Sequence, residues 1–108
     1  MQIVRNGKKM KGGSFGMKIE GDTIVFRSIN PHFAKEKDGR RPNTVRILSD
    51  KETLNVLKLW NSHKLKKIRI ELADFKKSDS FERELTDISL TGDSFGKIPV
   101  FFSWRHEE

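Results

Sequence analysis

The sequence contains no cysteine and no tyrosine. The absence of cysteine excludes a disulfide framework, a thiolate metal site and a cysteine nucleophile. Histidine occurs at His32, His63 and His106 alone, too far apart for ligand spacing and without a His-Glu-x-x-His run, so no metal site is expected. No apolar stretch approaches the length of a transmembrane helix, and the N-terminus is rich in lysine and glycine with no apolar run behind it. The expectation is a soluble, cytoplasmic protein with no membrane contact, no metal and no cofactor. Apolar residues are also scarce, at 34% of 108 residues, so one domain with one small core is expected.

Charge is plentiful and unevenly placed. The formal net charge is +7. Residues 1–46 carry 11 lysines and arginines against 4 acids, and the rest of the chain is balanced. A basic half favours a polyanionic partner, nucleic acid first. The plain alternative is charge that only keeps a small protein in solution. Eight phenylalanines and two tryptophans supply the large apolar surfaces that the core needs.

Residues 1–16 form a basic, glycine-rich segment with a short strand at Gln2 to Arg5 and a flexible loop over Asn6 to Gly16; residues 17–108 form the domain proper. Met17 to Glu20 and Thr23 to Arg27 read as a hairpin turning at Gly21-Asp22. Pro31 to Lys37 reads as a short helix, capped by Asn30 and begun by Pro31. Ser49 and Glu52 make a capping box for a helix running to about Ser62, with Leu54, Leu57 and Asn61 on one flank and Val56, Leu59, Trp60 and His63 widening its apolar stripe. Lys67 to Leu72 alternates strictly, with Ile68, Ile70 and Leu72 inward. Ser80 to Ile88 alternates less cleanly, and a bulge there could bring Ile88 to the core side. On that strand Glu82 and Glu84 await either an arginine from the Arg40 turn or cross-strand Arg69 or a lysine. Gly92 to Gly96 reads as a turn and Ile98 to Trp104 as a terminal strand, with Pro99 marking its beginning or a sheet edge. Five or six strands and two short helices imply a mainly β α+β domain, best drawn as a small, partly open barrel with the helices outside.

The chemistry concentrates in Asp38-Gly39-Arg40-Arg41-Pro42-Asn43-Thr44-Val45-Arg46. Gly39 permits a tight turn or a helix stop, and Pro42 forbids further helix and biases Arg41 toward extended geometry. Thr44 to Leu48 then reads as a strand, which puts Thr44 and Arg46 on one face. Guanidinium forks and a hydroxyl on one surface suit a phosphate, a carboxylate or a polarised carbonyl. The candidate ligand-binding residues are Arg40, Arg41, Asn43, Thr44 and Arg46, with His32 and Phe33 one short helix upstream and Phe33 offered as a stacking surface. Arg41 and Arg46 should both point at the cleft, so that removing them leaves folding intact. The plain alternative is a solvated turn.

Gly39, Arg41, Thr44 and Arg46 resemble the G-x-K-x-x-T-x-R signature of ASCH domains, small β-barrels of the PUA-like superfamily associated with RNA and modified nucleosides. The helix, glycine turn and strand stand in the same order. The resemblance implies a PUA-like barrel and an RNA or nucleotide ligand. In the ASCH amidohydrolases that deacetylate acetylcytidine, the lysine and threonine are catalytic, together with a later glutamate. Thr44 matches that threonine. The lysine falls on Arg41, whose guanidinium keeps its proton and is a poor general base, and no motif places the glutamate.

Three functions from different classes follow. The first is a non-catalytic module binding RNA or a nucleotide in the basic cleft. The second is an accessory protein of a phage or mobile element that binds and inhibits a host protein or sequesters a signalling nucleotide. The third is the amidohydrolase, with Thr44 as its catalytic residue.

Overall fold

The computed structural model describes residues 17–74, 76–91 and 97–105. The expected strand at Gln2 to Arg5, the loop at 6–16 and the turn at 92–96 lie outside the described residues. Along the chain run β1 (Lys18–Glu20), β2 (Thr23–Ser28), α1 (His32–Lys37), β3 (Asn43–Leu48), α2 (Asp50–Asn61), β4 (Lys67–Leu72), β5 (Ser80–Leu90) and β6 (Ile98–Trp104). The domain is α+β and mostly β, with one mixed sheet of six strands ordered β1-β2-β4-β5-β6-β3 and two helices.

The hairpin forms as its turn chemistry dictates. Gly21 sits at φ 62, where a side chain is disfavoured, and Glu20 pairs with Thr23 across it. The strict alternation of β4 puts Ile68, Ile70 and Leu72 in the core. β5 carries a register shift between Leu85 and Asp87, and this bulge turns Ile88 inward beside Phe81 and Leu85. Glu82 ends up near Lys67 and Arg69 of β4, both at 3.8 Å, so the cross-strand partner takes it and the Arg40 turn does not. β6 is hydrogen-bonded on both sides, to β5 and β3, so Pro99 marks the start of an interior strand rather than an edge.

The sheet is open but strongly curled. Four strand spacings separate β2 from β3, which in a flat sheet would be roughly 19 Å. Yet Arg46 on β3 hydrogen-bonds directly to Arg27 and Ser28 at the end of β2. The curl therefore brings the end of β2 and β3, which do not pair with each other, face to face, and Arg46 bridges the seam where a closed barrel would have a ladder. Inside the curl lies one core, in which Phe26 meets Phe102 at 5.0 Å and Phe81 links Phe33 to Trp104.

The helices differ in how they attach. α2 has the expected capping box, with Ser49 Oγ accepting from Glu52 N–H and Glu52 Oε1 from Ser49 N–H. Its inward face is Thr53 and Val56, with Leu57, Leu59 and Trp60 partly buried. Leu54, expected on the apolar flank, is 63% exposed, because the buried stripe follows Thr53 and Val56 at three-residue spacing. His63 lies past the helix at φ 63 and is exposed, outside the apolar stripe. α1 starts one residue later than its cap residues imply. Pro31 occupies the N-cap, while Asn30 Oδ1 still accepts from Ala34 N–H at 3.2 Å. Among the described residues no helix is long and apolar enough to cross a membrane, and no cluster of three or more His, Cys, Asp or Glu side chains could hold a metal ion.

Candidate functional site

The seam between β2 and β3 is built from residues whose phase along their elements turns a polar atom inward. On β2, Ile24, Phe26 and Ser28 share a face, so Ser28 is a polar residue at a core-facing position. On β3, Thr44 and Arg46 share the corresponding face. On α1, Glu36 follows Phe33 by one turn and is carried under the helix with it.

Arg46 ties these three elements together. Its Nε donates to Thr44 Oγ1 at 3.1 Å, its Nη1 to the Arg27 carbonyl at 2.8 Å and its Nη2 to Ser28 Oγ at 2.6 Å. Ser28 Oγ in turn donates to Glu36 Oε1 at 3.0 Å. The guanidinium also lies 4.8 Å over the Phe26 ring, a cation–π contact. Burial pulls the Arg46 pKa below the ordinary guanidinium value, and the negative charge of Glu36 opposes that shift. Arginine stays charged at neutral pH regardless. Glu36 is only 2% exposed, so Arg46 and the Ser28 hydroxyl are what make its burial tolerable.

Above this network opens a cavity of about 610 Å³, lined among others by Arg27, Arg41, Asn43, Thr44, Arg46 and Glu36. Its volume lies within the range of small-molecule sites. The floor is polar, while Ile29 and Val45, both exposed, and Ala73 give the walls an apolar part. Arg27, Arg41 and Arg46 line it against one carboxylate, Glu36, so the charge of the lining residues is net positive. His32 stands at the same rim, its Nδ1 3.5 Å from Arg41 Nη1, a hydrogen bond when the ring proton is on Nε2.

The structure thus gathers His32, Arg41, Asn43, Thr44 and Arg46 around one cavity. Two candidates lie elsewhere. Arg40 folds back on Asp38, with Nε and Nη2 at 2.8 and 2.7 Å from Oδ2 and its N–H on Oδ1. The acid two residues earlier captures it, and it does not line the cavity. Phe33 is buried in the core, edge-on to Phe81 at 5.6 Å, because it is the anchor that holds α1 down; it offers no stacking surface. The turn between helix and strand works as its residues imply. Gly39 takes φ 90, and the Arg41 N–H donates to the Lys35 carbonyl at 3.0 Å, which fixes Arg41 at the rim.

Arg27, Ser28, Ile29, Glu36, Val45 and Ala73 were not signalled by the motif. Ser28 and Glu36 had a signal of another kind, a polar residue in phase with buried apolar neighbours. Arg46 also needs correcting in role: three of its five N–H groups are taken by the fold, so its removal affects folding and not ligand alone.

In comparisons with known proteins, the chain matches no family model, no curated protein and no solved structure. The chemistry must be read from the cavity itself. Exposed guanidinium groups at the mouth suit an anion. The apolar walls suit a flat, partly apolar group. Carboxylate and hydroxyl oxygens on the floor suit a ligand that offers N–H donors.

Proposed function

We propose that this protein is a non-catalytic binding module for RNA or a nucleotide, which it holds in the seam cavity. The observation that carries the reading is the joining, in one cavity of nucleotide-compatible volume, of the exposed Arg27 and Arg41 with apolar walls and a polar floor. Phosphate would sit at the guanidinium groups, and a base would lie against Ile29 and Val45 with its edge toward Ser28, Glu36 and Thr44. The eight-residue likeness of Gly39 to Arg46 to the ASCH signature supports the same ligand class. It does not support turnover. Arg41 stands in place of the lysine, Thr44 Oγ1 already accepts from Arg46, and the cavity's carboxylate, Glu36, precedes the motif rather than following it.

The test is a titration of the full chain with nucleoside monophosphates and with short single-stranded and hairpin RNA at low and moderate salt. Saturable binding that weakens with salt, and weakens at least about tenfold in the Arg27→Ala/Arg41→Ala variant with its melting temperature kept, is the expected result. Acylated nucleosides should not be turned over. No binding to any of these probes at low salt would overturn the reading and point to an acidic protein partner, sought by pull-down.

A further inference from the structure

Arg27 serves two concavities. It closes the seam cavity on the β2 side and also lines a wider concavity of about 920 Å³, shared with Lys18, Glu71, Lys76, Lys77 and Asp79. The two adjoin along the chain after β4, where Ala73 belongs to the first and Leu72 and Asp74 to the second. Arg27 is therefore common to two neighbouring concavities.

The charges of the second concavity are not equally available. Glu71 is taken by Arg69 Nε at 3.4 Å and Asp79 by Lys37 Nζ at 2.8 Å. Asp74 Oδ1 accepts the Lys76 backbone N–H at 2.8 Å. Arg27, Lys76 and Lys77 are exposed and enter no ion pair among the described residues. Glu71 and Asp79 are thus paired elsewhere, while Arg27, Lys76 and Lys77 stay exposed, Lys77 acting on Asp79 only through its charge, and these three line the concavity next to the seam cavity. A closed pocket for a free nucleotide would have no use for such a neighbour. A strand with one nucleotide in the cavity needs one, because its chain must leave carrying a charge at every step.

We infer, building on the nucleotide reading of the seam cavity, that the ligand is a single-stranded RNA whose backbone runs over Arg27 and places neighbouring phosphates on Lys76 and Lys77. A duplex does not fit this arrangement, since a base can enter the cavity only when splayed out of its stack.

The experiment compares, on the full chain, the affinities of the four nucleoside monophosphates with that of a short single-stranded RNA of mixed sequence. The parent is set beside Lys76→Glu/Lys77→Glu, whose exposed positions leave the melting temperature unchanged. The expected result is an oligonucleotide bound at least about tenfold more tightly than any monophosphate, with that gain lost in the double variant and monophosphate affinity kept. Monophosphate binding with no gain for the oligonucleotide, or a gain that survives in the double variant, overturns the strand path and leaves the cavity reading standing. Failure of every nucleotide probe overturns both. A poly-glutamate peptide that binds as tightly as the RNA, with the same loss in the variant, overturns the assignment in favour of an acidic protein.

Discussion

Arg46 directs most of its guanidinium inward, and that decides what its replacement does. Alanine there deletes bonds to Thr44, Ser28 and the Arg27 carbonyl, and strips the buried Glu36 of a favourable charge. Hydrogen bonds from charged donors and uncompensated buried carboxylates put the loss at about 3 kcal/mol. Arg46→Lys should recover only part of it, since an ammonium supplies the charge but not the planar fork that reaches three acceptors at once. Denaturant midpoints of the parent and both variants check this. A midpoint unchanged in Arg46→Ala would mean that the seam holds without its bridge. Arg41 offers the contrast, because its side chain is exposed at the rim and, among the described residues, hydrogen-bonds through its side chain to His32. Binding variants therefore belong at Arg41 and Arg27, and stability variants at Arg46.

The elements differ in how far their sequence foretold them, and α1 shows why. β4 is legible because strict alternation states both its geometry and its buried face, and α2 because Ser49 and Glu52 mark its start. The partners that bury Glu36 lie on β2 and β3, so beyond its one-turn phase with Phe33 nothing local in His-Phe-Ala-Lys-Glu-Lys marks it as other than a solvated acid. The seam itself comes from sheet curl, which no single strand encodes. Arg40 misled for the opposite reason, a strong local signal answered by an equally local acid, Asp38. What holds α1 beyond Phe33 is partly an ion pair, Lys37 Nζ to Asp79 Oδ2 at 2.8 Å. The Asp79 pKa is held below its ordinary 3.8, first by the hydrogen bond from Lys37, with the Ser80 N–H and the charge of Lys77 adding to it. A depressed folded-state pKa contributes stability above the unfolded value and loses it as pH falls through the folded one. Melting temperatures of the parent should therefore lie above those of Lys37→Met near neutrality, and the gap should close as pH drops from about 5 to below the Asp79 value. Both groups are well exposed, so the gap is small. A gap that widens on acidification would contradict the pairing.

At the scale of the whole molecule, curl and charge work together. The curl makes one concave surface from elements far apart in sequence, with β2, α1 and β3 around the seam cavity and the segment after β4 continuing it. The excess positive charge falls in residues 1–46, the part of the chain that supplies Arg27, Arg41 and Arg46. A strand lying on Arg27, Arg41, Lys76 and Lys77 would displace counterions at each contact. For single strands the logarithm of affinity then falls against the logarithm of salt with a slope of about −3, close to −0.7 per phosphate neutralised. Raising salt from about 50 to 200 mM should thus weaken RNA binding roughly 50-fold. Loss of Lys76 and Lys77 should flatten the slope to about −1.4, and loss of all four cations should nearly abolish it. Nucleoside monophosphates, which reach only the cavity, should show the shallow slope in the parent already. Anisotropy titrations across a salt series read all of these values. A steep slope in the parent that Lys76→Ala/Lys77→Ala leaves unchanged would mean that the phosphates travel by another face of the molecule. A slope near zero with affinity intact would mean that the cavity grips a base and the surrounding cations are incidental to it.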